Sequence, residues 1–292
     1  MFLVTGATGN VGGQVVAQLV DGGHAVRALT RHPEAAVLPA GVEPVAGDLT
    51  RPDTLTGALA GVSAAFLFPA PGCGPAFAEA ARAAGVRRVV LLSSGDVVDG
   101  VDRQSNAIAR FHADVERALA DAGLEWTFVR PGGFATNTLQ WAPQIRATGV
   151  VTAPYGNASL APIHEADVAA VAVRALTTDG HAGARYRLTG PDVLTLAEQL
   201  AVIGDALGRK LRFEEITPEV ARERMVRHLP APIVDALLGI FAEATTRPAT
   251  VLPTVEEVTG APARTFARWV ADHRADFTAP PSGDLAERRG GV

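Results

Sequence analysis

The first thirteen residues, MFLVTGATGNVGG (1–13), run from four apolar residues into glycines at Gly6, Gly9, Gly12 and Gly13. FLVT reads as a buried strand, and NVGGQVVAQLV, apolar at helical spacing, reads as the helix that follows it. Between the two, the glycines have separate uses. Gly6 permits the tight turn, Gly9 lets backbone approach a pyrophosphate with no Cβ in the way, and Gly12 lets the helix pack on the strand. The N–H groups at the helix start and the positive end of its dipole then supply an anion site. The spacing is GxxGxxG, one residue wider in its first gap than GxGxxG, and glycines alone also serve a purely structural turn. The strand before, the helix after and the position at the head of the chain together decide for dinucleotide binding.

The same alternation continues outward to about residue 135. Strand candidates are FLVT (2–5), AVRALT (25–30), VEPVAGD (42–48), AAFLFP (64–69), RVVLLSS (88–94) and EWTFVRP (125–131), with Ala-rich helical stretches between them. Six strands with crossover helices predict a doubly wound parallel sheet, a Rossmann fold. After Pro131 the segment to about 156 is rich in Gly, Pro and Thr and reads as a loop, and IHEADVAAVAVRALTTDG (163–180) reads as a helix returning to the sheet. From about 183 a strand, a helix, a strand and a helix predict a smaller mixed α/β C-terminal cap. The organisation expected is an NAD(P)-binding domain over 1–183, with 131–160 contributing to the substrate cleft, a substrate or cap region over 184–278, and a flexible tail over 279–292.

Composition narrows the function class. With 292 residues, 48% of them hydrophobic, the chain can fill a large core. The single cysteine, Cys73, excludes an intrachain disulfide, and no Cys/His cluster has zinc-ligand spacing, so no metal site is expected. No charged segment precedes an apolar one at the start, and no apolar run is long enough to span a bilayer, which predicts a cytoplasmic protein away from membranes. A net charge of -5 without a basic run argues against nucleic acid as a partner. The local cluster Arg222, Arg224 and Arg227 suits either an anion or a solvated helix face.

The end of the second strand distinguishes the two nicotinamide cofactors, because an acidic residue there bonds the ribose 2′-hydroxyl and an arginine accommodates a 2′-phosphate. AVRALT ends at Arg31, and Glu34 lies three residues further into the loop, so NADP(H), with NADPH preferred over NADH, is the cofactor expected. GDLT places Asp48 and Leu49 at the end of the third strand, where an adenine edge would lie; Asp48 equally suits the N-cap of the next helix.

VTGATGNVGG, GDLT, LLSS and FHADVERALADAGLEWTFVRPGGF, in that order, resemble the NmrA-like branch of the atypical short-chain dehydrogenase/reductases, whose members include quinone and triphenylmethane-dye reductases. The resemblance extends to about residue 278. It implies that Thr8, Gly9, Asn10 and Val11 wrap the pyrophosphate, Arg31 meets the 2′-phosphate, and Asp48 and Leu49 flank adenine. It also implies that Phe68 and Pro69 line the cofactor cleft, that Ser93 and Ser94 lie near the nicotinamide, and that Pro131, Gly132, Gly133 and Phe134 close over its amide.

Ordinary members of the wider superfamily use a Tyr and a Lys four residues apart, the tyrosine acting as general acid. Here Ile108 and His112 occupy the equivalent positions, and no Tyr-x-x-x-Lys exists, since Lys210 is the only lysine and the tyrosines are Tyr155 and Tyr186. By the resemblance His112 hydrogen-bonds the nicotinamide ribose; as a residue it also reads as a helix-surface histidine. Glu116, one turn later, either orients that imidazole or pairs with an arginine. The catalytic candidates are therefore His112, Ser93 and Ser94.

Hydride delivered to a simple ketone makes a strongly basic alkoxide that needs a positioned acid, whereas a quinone, enone or conjugated cation spreads the arriving charge. The expectation is an NADPH-dependent reductase of a small aromatic or conjugated carbonyl substrate, working as a monomer or homodimer. Phe134, Trp141 and Phe241 suit a flat pocket or plain core. The alternatives are a regulator that senses NADP(H) redox state without turnover, and a ketoreductase or epimerase with an unusual acid.

Overall fold

The computed structural model describes residues 1–278; the tail expected over 279–292 lies outside them. Short β-branched runs bounded by turns form strands, and the amphipathic stretches between them fold back as helices over both faces. In chain order these are β1 (Phe2–Val4), α1 (Asn10–Asp21), β2 (Val26–Thr30), β3 (Glu43–Ala46), α2 (Leu55–Leu59), β4 (Ala64–Leu67), α3 (Cys73–Ala83), β5 (Arg88–Leu92), α4 (Ala107–Asp121) and β6 (Glu125–Pro131). A 3-10 segment Ala135–Trp141, α5 (Ala142–Ala147), β7 (Val150–Ala153), β8 (Ser159–Leu160), α6 (Glu165–Thr177) and β9 (Ala184–Leu188) follow. The rest comprises β10 (Leu194–Thr195), α7 (Leu196–Leu207), β11 (Arg212–Glu215), α8 (Pro218–Met225), α9 (Ala231–Ala244), α10 (Thr254–Thr259), α11 (Phe266–Asp272) and α12 (Arg274–Thr278).

The main sheet is parallel throughout, in the order β3-β2-β1-β4-β5-β6-β9. Alternate strand residues feed two cores. Val4, Ala28, Phe66, Val90 and Val129 pack under α1 and α6, whereas Leu3, Leu29, Leu67, Leu91 and Phe128 pack under α2, α3 and α4. Strand order reverses between β1 and β4, which opens a crevice at the carboxyl ends of the strands.

Two expectations are corrected. The sheet has seven strands, not six: β9, read as the first strand of the smaller cap, pairs with β6 from Thr127↔Ala184 to Pro131↔Leu188. The segment after Pro131, read as loop, contains the 3-10 segment, α5 and β7, because Trp141, Ala142 and Ile145 bury a helical face in a third core. The smaller unit draws its strands from two separated stretches, β7 pairing with β11 and β8 with β10. Among the described residues no helix is long and apolar enough to cross a membrane.

A buried polar network docks the last helices onto the start of α6. Glu165 accepts from Trp269 Nε1 at 2.9 Å and lies 2.6 Å from His273 Nε2, whose Nδ1 is 2.8 Å from Asp276. Burial works against the His273 imidazolium, but Glu165 and Asp276 more than offset it and raise its pKa. Burial likewise opposes the Glu165 carboxylate, yet hydrogen bonds from His164 and His273 lower its pKa to about 2.

Candidate active site

β1 delivers the chain into Gly6 at φ 62°, a left-handed conformation that suits glycine. Gly9 N–H donates to the Gly6 carbonyl at 2.9 Å, and Gly13 N–H donates to the Gly9 carbonyl at 2.8 Å, closing the first turn of α1. A Cβ on Gly12 would stand 2.1 Å from the Gly6 oxygen, so only glycine lets α1 settle onto the turn. Gly9 is different: its φ of −86° and ψ of 177° suit any residue, and a Cβ there would meet only the Gly6 oxygen, at 3.3 Å. α1 has no side-chain cap and no carboxylate in its first turn. Its orphan amides and dipole are thus left for an external anion, with Thr8 and Asn10 exposed beside them. This cradle fits the pyrophosphate of a dinucleotide.

Thr5 is a positioning residue that sequence reasoning missed. Its Oγ1 donates to the Phe68 carbonyl at 3.1 Å and accepts from Phe68 N–H at 2.7 Å, fixing half-buried Phe68 and buried Pro69 against the glycine turn. The Thr within LVTG was the available signal.

At the tips of β2 and β3, Arg31 is exposed and has no ion-pair partner among the described residues, because Glu34 lies beside His32 instead, at 3.9 Å. The pKa of Asp48 is lowered first by hydrogen bonds from the Thr50 backbone and hydroxyl and, less, by the charge of Arg31, which brings the two tips together. Asp48 does not cap α2; it closes its own turn, accepting from Thr50 N–H at 2.8 Å. Leu49 packs at the edge of the core beneath.

Beyond β5 and β6, Ile108, His112 and Glu116 follow one another at helical spacing on α4. Glu116 resolves in favour of an arginine: both its oxygens bind Arg130, at 2.8 Å from Nε, and it also accepts the Ser93 hydroxyl. Ser93, given above as a catalytic candidate near the nicotinamide, is 3% exposed and its hydroxyl donates to Glu116, which anchors the end of β5 to α4. Arg130 reaches on to Asp99 through two further hydrogen bonds, 2.8 and 3.0 Å, which ties the loop after β5 to the sheet. His112 Nδ1 is buried without a partner, and burial lowers the imidazole pKa to about 4. The ring is therefore neutral at pH 7, and its Nδ1 is a buried polar atom whose hydrogen bond is unmet.

Ser94 is half-buried, and its oxygen accepts from Asp96 N–H at 3.2 Å. Gly132 N–H donates to the Leu188 carbonyl at 3.0 Å, and Phe134 pairs with Ile163, so the segment after β6 is locked along the crevice. Phe134 leans on the core under α1 and α6. Trp141, 4% exposed, belongs to the third core, with Phe241 against it, so neither residue is needed as a pocket wall. Arg222 is paired with Asp235 at 2.7 Å and Arg224 donates to Thr152, which favours the solvated-face reading of that cluster. The glycine turn follows the carboxyl end of β1, Phe68 and Pro69 that of β4, Ser94 that of β5 and residues 132–134 that of β6, with Arg31 and Asp48 following β2 and β3. Asp96 and Asp99 lie in the loop after β5, Arg130 on β6 and Arg187 on β9, and sequence reasoning had singled out none of them.

Residues 6–179 match the family described as NAD(P)H-binding. The chain is 45% identical over 282 residues, 95% of its length and 99% of the relative's, to the (4-alkanoyl-5-oxo-2,5-dihydrofuran-3-yl)methyl phosphate reductase of Streptomyces griseus. It is 38% identical to the NAD(P)H azoreductase of Xenophilus azovorans, covering 96% of this chain and 100% of that protein. Among solved structures, the NADPH-dependent quinone oxidoreductase of Escherichia coli superposes with a TM-score of 0.77 at 28% identity, over 93% of this chain and 99% of that one.

Proposed function

The chain belongs to the NAD(P)H-binding family and is an NAD(P)H-dependent oxidoreductase, and from that premise we propose that it uses NADPH to reduce a small conjugated acceptor, a quinone or a comparable activated carbonyl compound. The observation that carries this reading is the pair Ile108 and His112, an alkyl group and a neutral imidazole where a Tyr and a Lys would supply an acid. A quinone, an azo bond and an oxo-dihydrofuran bearing an alkanoyl group share a π-system that spreads the arriving negative charge, so that protonation does not depend on a Tyr–Lys pair.

Bound in the crevice, NADPH supplies a hydride. The chain's residues bind and orient. Gly6, Thr8, Gly9, Asn10, Val11 and Gly12 hold the pyrophosphate, Arg31 meets the 2′-phosphate, and Asp48 and Leu49 border adenine. Phe68 and Pro69 form one wall, and Pro131, Gly132, Gly133 and Phe134 hold the amide end. His112 bonds the ribose, while Ser94 offers a hydroxyl near the reacting face. Orientation of this kind lowers a hydride-transfer barrier by making the encounter intramolecular.

The test is NADPH oxidation followed at 340 nm with quinones, azo dyes, acyl-substituted unsaturated lactones and simple ketones, alongside a binding titration. Turnover of conjugated acceptors with little turnover of ketones is expected. Tight NADPH binding with no turnover of any acceptor would overturn the proposal in favour of a redox sensor.

A further inference from the structure

Two-electron reduction of a neutral conjugated acceptor consumes one hydride and one proton, and neither Ile108 nor neutral His112 is an acid at pH 7. The Ser93 hydroxyl donates its hydrogen bond to Glu116. One other titratable group follows the carboxyl end of β5. Asp96 lies in the turn after β5, at the carboxyl edge of the sheet. The turn is pressed against the segment that follows β6: Gly95 N–H donates to the Pro131 carbonyl at 2.8 Å, and a Cβ on Gly95 would come within 3.1 Å of Gly132 Cα. Asp96 therefore emerges beside residues 131–134. It is half-buried, and among the described residues its carboxyl oxygens have no hydrogen-bond or ion-pair partner; only its backbone N–H is engaged, by Ser94. Partial burial without a protein partner disfavours the charged carboxylate relative to the neutral acid.

We propose that Asp96 is the proton donor of this enzyme and that it works on acceptors left anionic by hydride delivery. The assignment rests on the reductase reading above. As hydride reaches the acceptor, one negative charge is left on its oxygen or conjugated carbon. The Asp96 O–H bond breaks as an O–H or C–H bond forms there, and water reprotonates the carboxylate. Burial sets the direction of its titration: it raises the Asp96 pKa, Arg187 on β9 works against the rise, and Glu243 on α9 adds to it. Glu243 is bound to Arg247, Asp99 in the same loop is held by Arg130 and Arg185, and His112 on α4 is uncharged at the working pH.

Two measurements test the assignment. Infrared difference spectra of the protein without cofactor, parent minus D96N, should show a carboxyl group that titrates above the ordinary aspartate range; its absence would overturn the proposal. The second measurement compares two acceptors. A quinone needs a proton after hydride, but a cationic triarylmethane dye becomes a neutral product on hydride alone. D96N should slow quinone reduction about 100-fold and abolish the fall in rate as pH rises through the Asp96 titration, while dye reduction and NADPH affinity stay as in the parent. D96E should restore part of the quinone rate. Equal losses with both acceptors, or no loss with the quinone, would overturn the assignment. A parent protein that binds NADPH and reduces neither acceptor would overturn the reductase reading itself, and the donor role with it.

Discussion

Alanine at Gly9 and alanine at Gly12 separate binding from folding at the glycine turn. At Gly12 the added Cβ would lie 2.1 Å from the Gly6 oxygen and 2.6 Å from its carbon, both backbone atoms that cannot rotate away. α1 must retreat by about 1 Å to regain normal contact, which loosens Val11, Val15, Val16 and Leu19 from the core. The cost falls at the upper end of overpacking, about 3 kcal/mol, or roughly 5 °C in melting temperature for a chain of this size. At Gly9 the backbone already suits alanine and the nearest atom is 3.3 Å away, so Gly9→Ala should stay within about 0.5 kcal/mol of the parent. Its methyl group would instead occupy the space a pyrophosphate needs, weakening NADPH roughly 10- to 100-fold for each charge-assisted hydrogen bond lost. Differential scanning calorimetry and a fluorescence titration read both quantities on each variant. Parent-like NADPH affinity in a folded Gly9→Ala protein would refute the phosphate cradle, and a parent-like melting temperature for Gly12→Ala would refute the close-approach argument.

Arg31→Ala should weaken NADPH roughly tenfold or more and leave NADH unchanged, measured by paired titrations; equal losses would remove Arg31 from the 2′-phosphate. His112→Ala should slow single-turnover hydride transfer roughly tenfold with little change in NADPH affinity, and the parent rate profile should carry no imidazole titration between pH 6 and 8, since His112 ionises only near about 4. Glu165→Gln should cost about 3 kcal/mol near neutral pH by breaking a buried pair, seen in thermal melts and Trp269 fluorescence. In the parent, the Glu165 contribution is present above its unfolded pKa and is lost as pH falls towards about 2; the His273 contribution is complete below its unfolded value and is lost as pH rises through its raised one.

The first six strands were legible because they are short apolar runs bounded by turn residues, of which AAFL and RVVLL are buried on both faces. β9 was not. Its sequence ARYRL alternates long polar residues at the sheet edge, and nothing local shows that β6 lies beside it. The helical turn through Trp141, Ala142 and Ile145 was hidden by Pro143 and the surrounding threonines and glycines, and it forms because a third core receives its apolar face. At the site, the glycine turn was readable from local spacing alone. The partner of Glu116 was not, since Arg130 stands fourteen residues away and only the fold brings the two together. Asp96 carried no periodicity or spacing signal; its significance comes from burial and from the lack of a partner.

The way the smaller unit is threaded limits how such enzymes can be recombined. β7 and β8 come before α6 and their partners β11 and β10 after β9, so the chain returns to the smaller unit to complete two two-stranded sheets. A chimera that exchanged only the residues after 183 would import β10 and β11 without the strands that complement them and would take β9 out of the sheet. The smaller unit is therefore inherited as two segments that must change together. Drift in either one is constrained by the other, and a library that shuffles them as a linked pair should yield far more folded variants than one that shuffles them freely.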